Sequence, residues 1–301
     1  MKKETFGTLL AIITALFSGL AIPMNKLFVV DLDPTVFTAI RGLVIGIIFY
    51  IIFLFECNSI PKKSKINWKY LLSIAIIGGS FAFLLFFTGL KLTTAGRGAF
   101  LHKTLPFYVT ILAFLFLREK INKKQILALF IMLLGTILIY FDQIKPAEFW
   151  LNPSLGDLLI IGATILWAIE SVIAKKAMIK GDSNYIVSFA RMFIGAIILF
   201  AIIILQDKMN LLFSLTLQQV INIAVSTAIL FGYVFCWYYS IKMINVSKAS
   251  TLLLLAPIIS LILGVLIFNE PVPNLQLFGS LLILIGAYLV IKVKSEFTTG
   301  I

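Results

Sequence analysis

Apolar residues in this chain gather into long runs, each closed by a short polar connection. Windows of about 20 apolar residues suffice to cross a bilayer. Read this way, the pattern predicts ten helices near 5–28, 35–55, 68–90, 97–117, 124–141, 155–178, 185–205, 216–241, 248–268 and 274–292. Only short connections remain between them, so there is no room for an ATPase or a soluble catalytic domain. The opening stretch MKKETFGTLLAIITALFSGLA carries the charge and hydropathy profile of a signal peptide, but the same pattern recurs internally. It is therefore read as the first span.

The second feature of the pattern is a repeat. Sliding the first half by 151 positions superposes Lys91 on Lys242, Pro106 on Pro257, Glu119 on Glu270, Gln125 on Gln276 and Gly135 on Gly286. Slightly smaller shifts match Arg41 with Arg191 and Gly7 with Gly156. The chain thus divides into residues 1–145 and 146–301, five spans each. Because five is odd, the second half enters the membrane from the opposite side. The fold class expected is an all-α integral membrane protein of ten transmembrane helices, built as two inverted five-helix repeats. Such repeats mark secondary transporters, whose similar halves exchange conformations around a midplane site.

Composition agrees: 61% of 301 residues are hydrophobic, 13% are charged, and mean hydropathy is +1.08. The formal charge of +12 would suggest nucleic acid in a soluble protein. Here the basic residues sit in the connections and report topology instead. With both termini inside, seventeen Lys and Arg residues fall on cytoplasmic segments, among them Lys62, Lys63, Arg118, Lys120, Lys175 and Lys248. Five (Lys26, Lys91, Arg97, Lys145 and Lys208) fall outside. The expectation is N-in, C-in insertion in the cell membrane. Cys57 and Cys236 imply no disulfide framework.

The pair 249–291 and 99–140 resembles the duplicated module of the drug/metabolite transporter superfamily, EamA type. The places that carry the resemblance are Pro106, Glu119 and Gly135 in one copy and Pro257, Glu270 and Gly286 in the other. The resemblance implies a ten-helix carrier of small metabolites, often an exporter of amino acids or related compounds, and names no substrate.

Charged side chains at a bilayer midplane cost about 2.5–3.5 kcal/mol on insertion scales, so each is a candidate for function. Lys103 shares a small, polar face of helix 4 with Ala99, Pro106, Thr110 and Ala113. It is the first candidate for holding an anionic group, against a purely snorkelling or structural role. His102, the chain's single histidine, points about 100° away and would suit proton coupling. Pro106 should leave the carbonyl of residue 102 free. Glu170 shares a face with Trp167 and is expected to take a cationic group or proton while Trp167 packs on the apolar part. Its alternative is a structural pair with Lys175 or a neighbouring Arg. Asn25 is a polar lining candidate on helix 1.

Arg41 and Arg191 match across the repeat and are read as scaffold. Glu119 and Glu270 are read as structural or gate residues, with NKKQ (122–125) after Glu119 as a helix cap. The aromatic runs 81–87 and 231–239 are assigned mainly to lipid and interface packing, Trp68 and Trp150 to interfacial anchors.

The cavity is expected between helices 1, 3, 4, 6, 8 and 9. It would take a small amphiphilic metabolite, an amino acid being the first expectation, exported or exchanged by alternating access. The partners expected are that substrate, protons as a coupling ion, and the bilayer. No metal, cofactor or nucleic acid is expected, and the sequence sets no oligomeric state. The alternatives are a carrier of phosphorylated or nucleotide-linked metabolites, a membrane enzyme acting on lipid-linked substrates, or a non-transporting scaffold or channel.

Overall fold

The computed structural model describes residues 3–57, 66–144, 153–268 and 271–295. Within them lie ten helices long and apolar enough to cross a membrane: α1 (Lys3–Phe28), α2 (Pro34–Phe55), α3 (Trp68–Leu92), α4 (Ala95–Leu117), α5 (Lys123–Ile144), α6 (Leu155–Ile179), α7 (Asn184–Leu205), α8 (Leu217–Met243), α9 (Val246–Leu266) and α10 (Asn274–Lys292). The expected spans differ from these by a few residues at most. Glu270 and Trp150 lie outside the described residues.

Hydropathy fixes where the helices run, and small residues fix how closely they pack. In a bilayer the lipid offers no hydrophobic drive between helices, so close approach depends on missing side chains. α5 and α10 meet where Gly135 faces Gly279. A Cβ built on Gly135 would stand 2.5 Å from the Gly279 carbonyl oxygen, and one on Gly279 2.6 Å from that of Gly135. The two backbones touch there, and any larger residue would force them apart.

Two helices are broken at matching places. α4 is interrupted at Lys103–Thr104, just before Pro106, and restarts at Leu105. α9 tightens into a 3₁₀ turn over Leu253–Leu255, just before Pro257. Proline cannot donate the helical hydrogen bond, and its ring crowds the preceding turn. Both copies answer that constraint in the same way, so the break belongs to the shared design of the halves. Two further irregularities are π-helical: Ala75–Phe81 in α3 and Ala190–Ile194 in α7. They pack on each other, with Gly79 so close to the Arg191 carbonyl that a Cβ would overlap it.

The two halves are tied at both ends. At the lysine-rich end Lys248, on α9, meets Glu4 of α1 at 3.1 Å. At the lysine-poor end Arg97, on α4, meets Asp157 of α6 at 2.7 Å. The lysine-rich end also carries a buried cap. Arg118 takes a left-handed conformation (φ 53°), turning the chain after α4 so that Glu119 faces the start of α9. There its carboxylate accepts the backbone N–H of Val246 at 2.9 Å and of Ser247 at 3.2 Å, and the Ser247 hydroxyl at 2.5 Å. An anion at a helix N-terminus satisfies donors that have no partner within the helix and complements the macrodipole. Asn122, following it, accepts the Lys124 N–H at 2.9 Å and starts α5.

Outside the spans, Asp33 does the same for α2, accepting from Thr35 N at 2.8 Å and Val36 N at 3.2 Å while pairing with Lys208 at 2.9 Å. Burial pushes its carboxyl up, but the Lys208 ammonium and the two N–H donors outweigh that and hold it below the usual aspartate value. A depressed folded value means stability that is present above the unfolded pKa of about 3.9 and lost as pH falls through the folded one. Asp33→Asn keeps the cap but removes the charge facing Lys208 and the helix dipole, so it should flatten the acid limb of the thermal-melt profile and cost about 0.5 kcal/mol at neutral pH. An acid limb identical to wild type would remove Asp33 from this role.

Candidate functional site

A cavity of about 70 Å³ lies in the middle of the bundle, walled by α1, α2, α3, α4, α6, α7 and α8. Helices 2 and 7, absent from the expected set, each contribute an arginine. α9, expected to line it, contributes no residue to its wall.

Arg41 is fully buried at 0% exposure. Its Nε donates to the Phe37 carbonyl at 3.3 Å and its Nη1 to the Ser226 hydroxyl at 2.6 Å. Ser226 in turn donates to Asn25 Oδ1 at 2.6 Å. The guanidinium stacks over Phe37 at 4.0 Å and Phe87 at 4.6 Å, which holds the plane rigid. Its Nη2 has no hydrogen-bond partner among the described residues. A planar guanidinium held against two rings and unsatisfied at one nitrogen is suited to receive a carboxylate or other planar anion.

Arg191 sits in the π-helical turn of α7. It donates to the Tyr238 hydroxyl at 3.2 Å and lies 3.8 Å from Glu170 Oε2. Tyr238 donates to the other oxygen of Glu170. Glu170, also at 0% exposure, reaches this position because Gly78 has no side chain; a Cβ there would collide with the glutamate. Its Oε2 accepts no hydrogen bond among the described residues. Of the two structural partners considered for Glu170, a neighbouring arginine is the one present. Lys175 instead donates to the carbonyls of Ile241 at 2.6 Å and Ile244 at 3.0 Å, at the end of α8.

Trp167 donates its indole N–H to the Gly78 carbonyl at 3.0 Å, a group exposed by the π-helical turn. Its ring packs against Phe83, Phe86 and His102 at centroid distances of 5.2, 5.1 and 5.2 Å. His102 lines the cavity, wedged between Phe86 and Trp167, and its Nδ1 has no hydrogen-bond partner among the described residues.

Lys103 is placed differently from the expectation. It is 3% exposed and its ammonium donates to Ser18 Oγ at 2.6 Å. Ser18 lines the cavity and Lys103 does not. The break in α4 falls at Lys103 itself, so the uniform 100° wheel that put it on the Pro106 face does not apply there. The lysine stands behind Ser18, one side chain away from the void. No direct approach to Glu170 is made; the glutamate's cationic neighbour is Arg191.

The residues that pattern-reading missed are Ser18, Ser226, Tyr233, Trp237 and Tyr238, together with the inward role of the two arginines. Phe83, Phe86 and Phe87, expected mainly on the lipid side, are buried in the cavity wall, whereas Phe81 of the same run is 47% exposed. Tyr233, Trp237 and Tyr238 of the 231–239 run likewise turn inward. The signal for the arginines was present in the cost of an intramembrane charge. Their repeat symmetry drew the reading toward scaffold.

Comparison with known proteins places this architecture. The model of the EamA-like transporter family matches residues 5–141 and again 154–292. The chain belongs to the EamA-like transporter family. It is 28% identical over 278 residues to an uncharacterized transporter, YyaM, of Bacillus subtilis (strain 168), covering 90% of this chain and 89% of the relative. An uncharacterized transporter of Archaeoglobus fulgidus is 27% identical over 288 residues, covering 93% and 96%. A crystal structure of a protein 16% identical superposes with a TM-score of 0.75 over 95% of this chain and 98% of that one, which shows the fold. This transporter is therefore a multi-pass membrane protein of the drug/metabolite transporter superfamily.

Proposed function

We propose that this transporter moves a small amphiphilic metabolite bearing a carboxylate and an amine, an amino acid or a close relative, by alternating access. Export or exchange from the cytoplasm is the direction proposed, across the cell membrane and with the lysine-rich end and both termini on the cytoplasmic side. The observation that carries this is the set of unsatisfied polar atoms on the residues walling one aromatic-lined cavity: Arg41 Nη2 as donor and Glu170 Oε2 as acceptor, with His102 Nδ1 and Arg191 Nε alongside. A substrate carboxylate on Arg41 and its ammonium on Glu170 would fill the first two, with an apolar side chain among Phe83, Phe86 and Trp167. Buried polar atoms left without partners are costly, so a ligand that satisfies them binds where an apolar one does not.

Glu170 and His102 are the groups we assign to proton coupling, since each borders the cavity and can hold a proton. Lys103 acts through Ser18, orienting its hydroxyl toward the void. A phosphorylated or nucleotide-linked substrate gains support from the second arginine. Arg191 Nη1 is already engaged by Glu170 and Tyr238, however, so much of its charge is compensated before any substrate arrives.

Purified protein in liposomes should show counterflow of one or more amino acids, driven further by an imposed pH gradient. A thermal-shift screen of the same preparation should pick out the stabilising compound. Absence of counterflow for every amino acid, with a phosphorylated metabolite giving flux instead, would transfer the assignment to that class.

A further inference from the structure

A second, larger cavity of about 220 Å³ lies at the lysine-poor end, between α1, α4, α5, α9 and α10. It is separate from the central void, but Ile22, 5% exposed, lines both and forms part of the partition between them. We propose that this cavity is a second binding site, a vestibule for a small organic anion with an apolar body, in which Lys26 is the counter-cation.

The chemistry of the walls carries this. Lys26 lines the cavity, and its ammonium donates to the carbonyls of Leu90 and Thr93, each at 2.7 Å, at the end of α3, a helix that contributes no residue to the wall. An ammonium has three N–H groups, so one remains for a ligand. No aspartate or glutamate lines the cavity among the described residues, and the amides of Gln143 and Gln276 add neutral donors. Ser260 spends its proton on the Gly19 carbonyl at 2.9 Å. Gly96 makes room: a Cβ there would stand 2.7 Å from that of Gln143 and push the amide aside.

A positive charge with no carboxylate beside it, neutral donors and apolar walls select an anion with a hydrophobic portion. The inference rests on the proposed function for its physiological ligand, since a substrate leaving or entering the central cavity past Ile22 would meet this site next. Lys26 would then hold the carboxylate that Arg41 holds at the centre.

The test uses the full chain in phosphatidylcholine liposomes, with Cys57→Ser and Cys236→Ser as background and Leu261→Cys as reporter on the cavity wall. Labelling by a membrane-impermeant maleimide is followed with benzoate as probe and benzylamine as its cationic control. Benzoate at about ten times its dissociation constant should slow labelling roughly tenfold by mass action, and benzylamine should not. Lys26→Met should abolish the protection and Lys26→Arg keep it. Arg41→Met should leave it intact while the apparent affinity in counterflow falls, which separates this site from the central one.

Protection that survives Lys26→Met, or is lost with Arg41→Met, would overturn the proposal. If Lys26→Met does not fold, equal protection by benzoate and benzylamine overturns it on the parent reporter alone. Slower labelling on adding phosphatidylglycerol, without benzoate, would assign the cavity to a lipid headgroup and also overturn it. Intact benzoate protection without amino-acid counterflow would sink the amino-acid assignment and leave the vestibule standing.

Discussion

Arg41→Met should weaken substrate binding by roughly 10- to 100-fold, the loss of a charge-assisted hydrogen-bond pair worth about 1.5–3 kcal/mol. The structure makes this a clean substitution. Ser226 still donates to Asn25 when the guanidinium is gone, so no buried hydroxyl is orphaned. A methionine side chain can lie against Phe37 and Phe87 where the guanidinium did, and removing a buried charge that has no ionic partner spares its desolvation cost. Arg41→Lys should fail to rescue, because an ammonium neither stacks on the two rings nor presents a planar fork. The measurement is an amino-acid counterflow titration alongside a thermal melt. Unchanged apparent affinity in Arg41→Met would place the anion elsewhere, with Lys103 and Ser18 the next candidates.

Glu119→Gln should shift the carrier toward an arrangement open at its lysine-rich end. The carboxylate accepts three hydrogen bonds from the start of α9, and an amide can accept only at one atom while pointing two donors at the same N–H groups. Losing about 3 kcal/mol across this contact changes a two-state ratio by more than a hundredfold. Since Glu119 and α9 belong to different halves, the loss falls on the arrangement in which the two meet. Labelling of Ala174→Cys, fully buried at 0% exposure on α6, should accelerate from the lysine-rich side. A lower melting temperature with unchanged labelling would reduce Glu119 to a structural cap.

The spans and the repeat were legible because lipid imposes one rule over twenty residues, and averaging over a window absorbs local irregularity. The site was less so, for two reasons visible in particular residues. Helical-wheel reasoning assumes a constant 100° per residue. The π-helical turn at Ala75–Phe81 inserts extra rotation just before Phe83, Phe86 and Phe87, and the break at Lys103–Thr104 does the same in α4. Faces assigned across those points were therefore misplaced. The second reason is symmetry. Arg41 and Arg191 do correspond, but correspondence of position did not bring correspondence of partners: one meets Ser226 and aromatic faces, the other Glu170 and Tyr238. What lay within single unbroken helices, such as Trp167 and Glu170 three residues apart, was readable.

The contact between Gly135 and Gly279 restricts how such a carrier can move. α5 and α10 come from different halves, and their backbones touch at that crossing. If that contact holds through the proposed alternating-access cycle, the seam would act as a fixed post and the halves would not rock apart there. The strokes of that proposed cycle would then be made by segments flexing against it, with the matched breaks in α4 and α9 as the joints available. Gating in this fold would be a bending of half-helices about a stationary spine, with each half-helix short enough to swing without unzipping the rest.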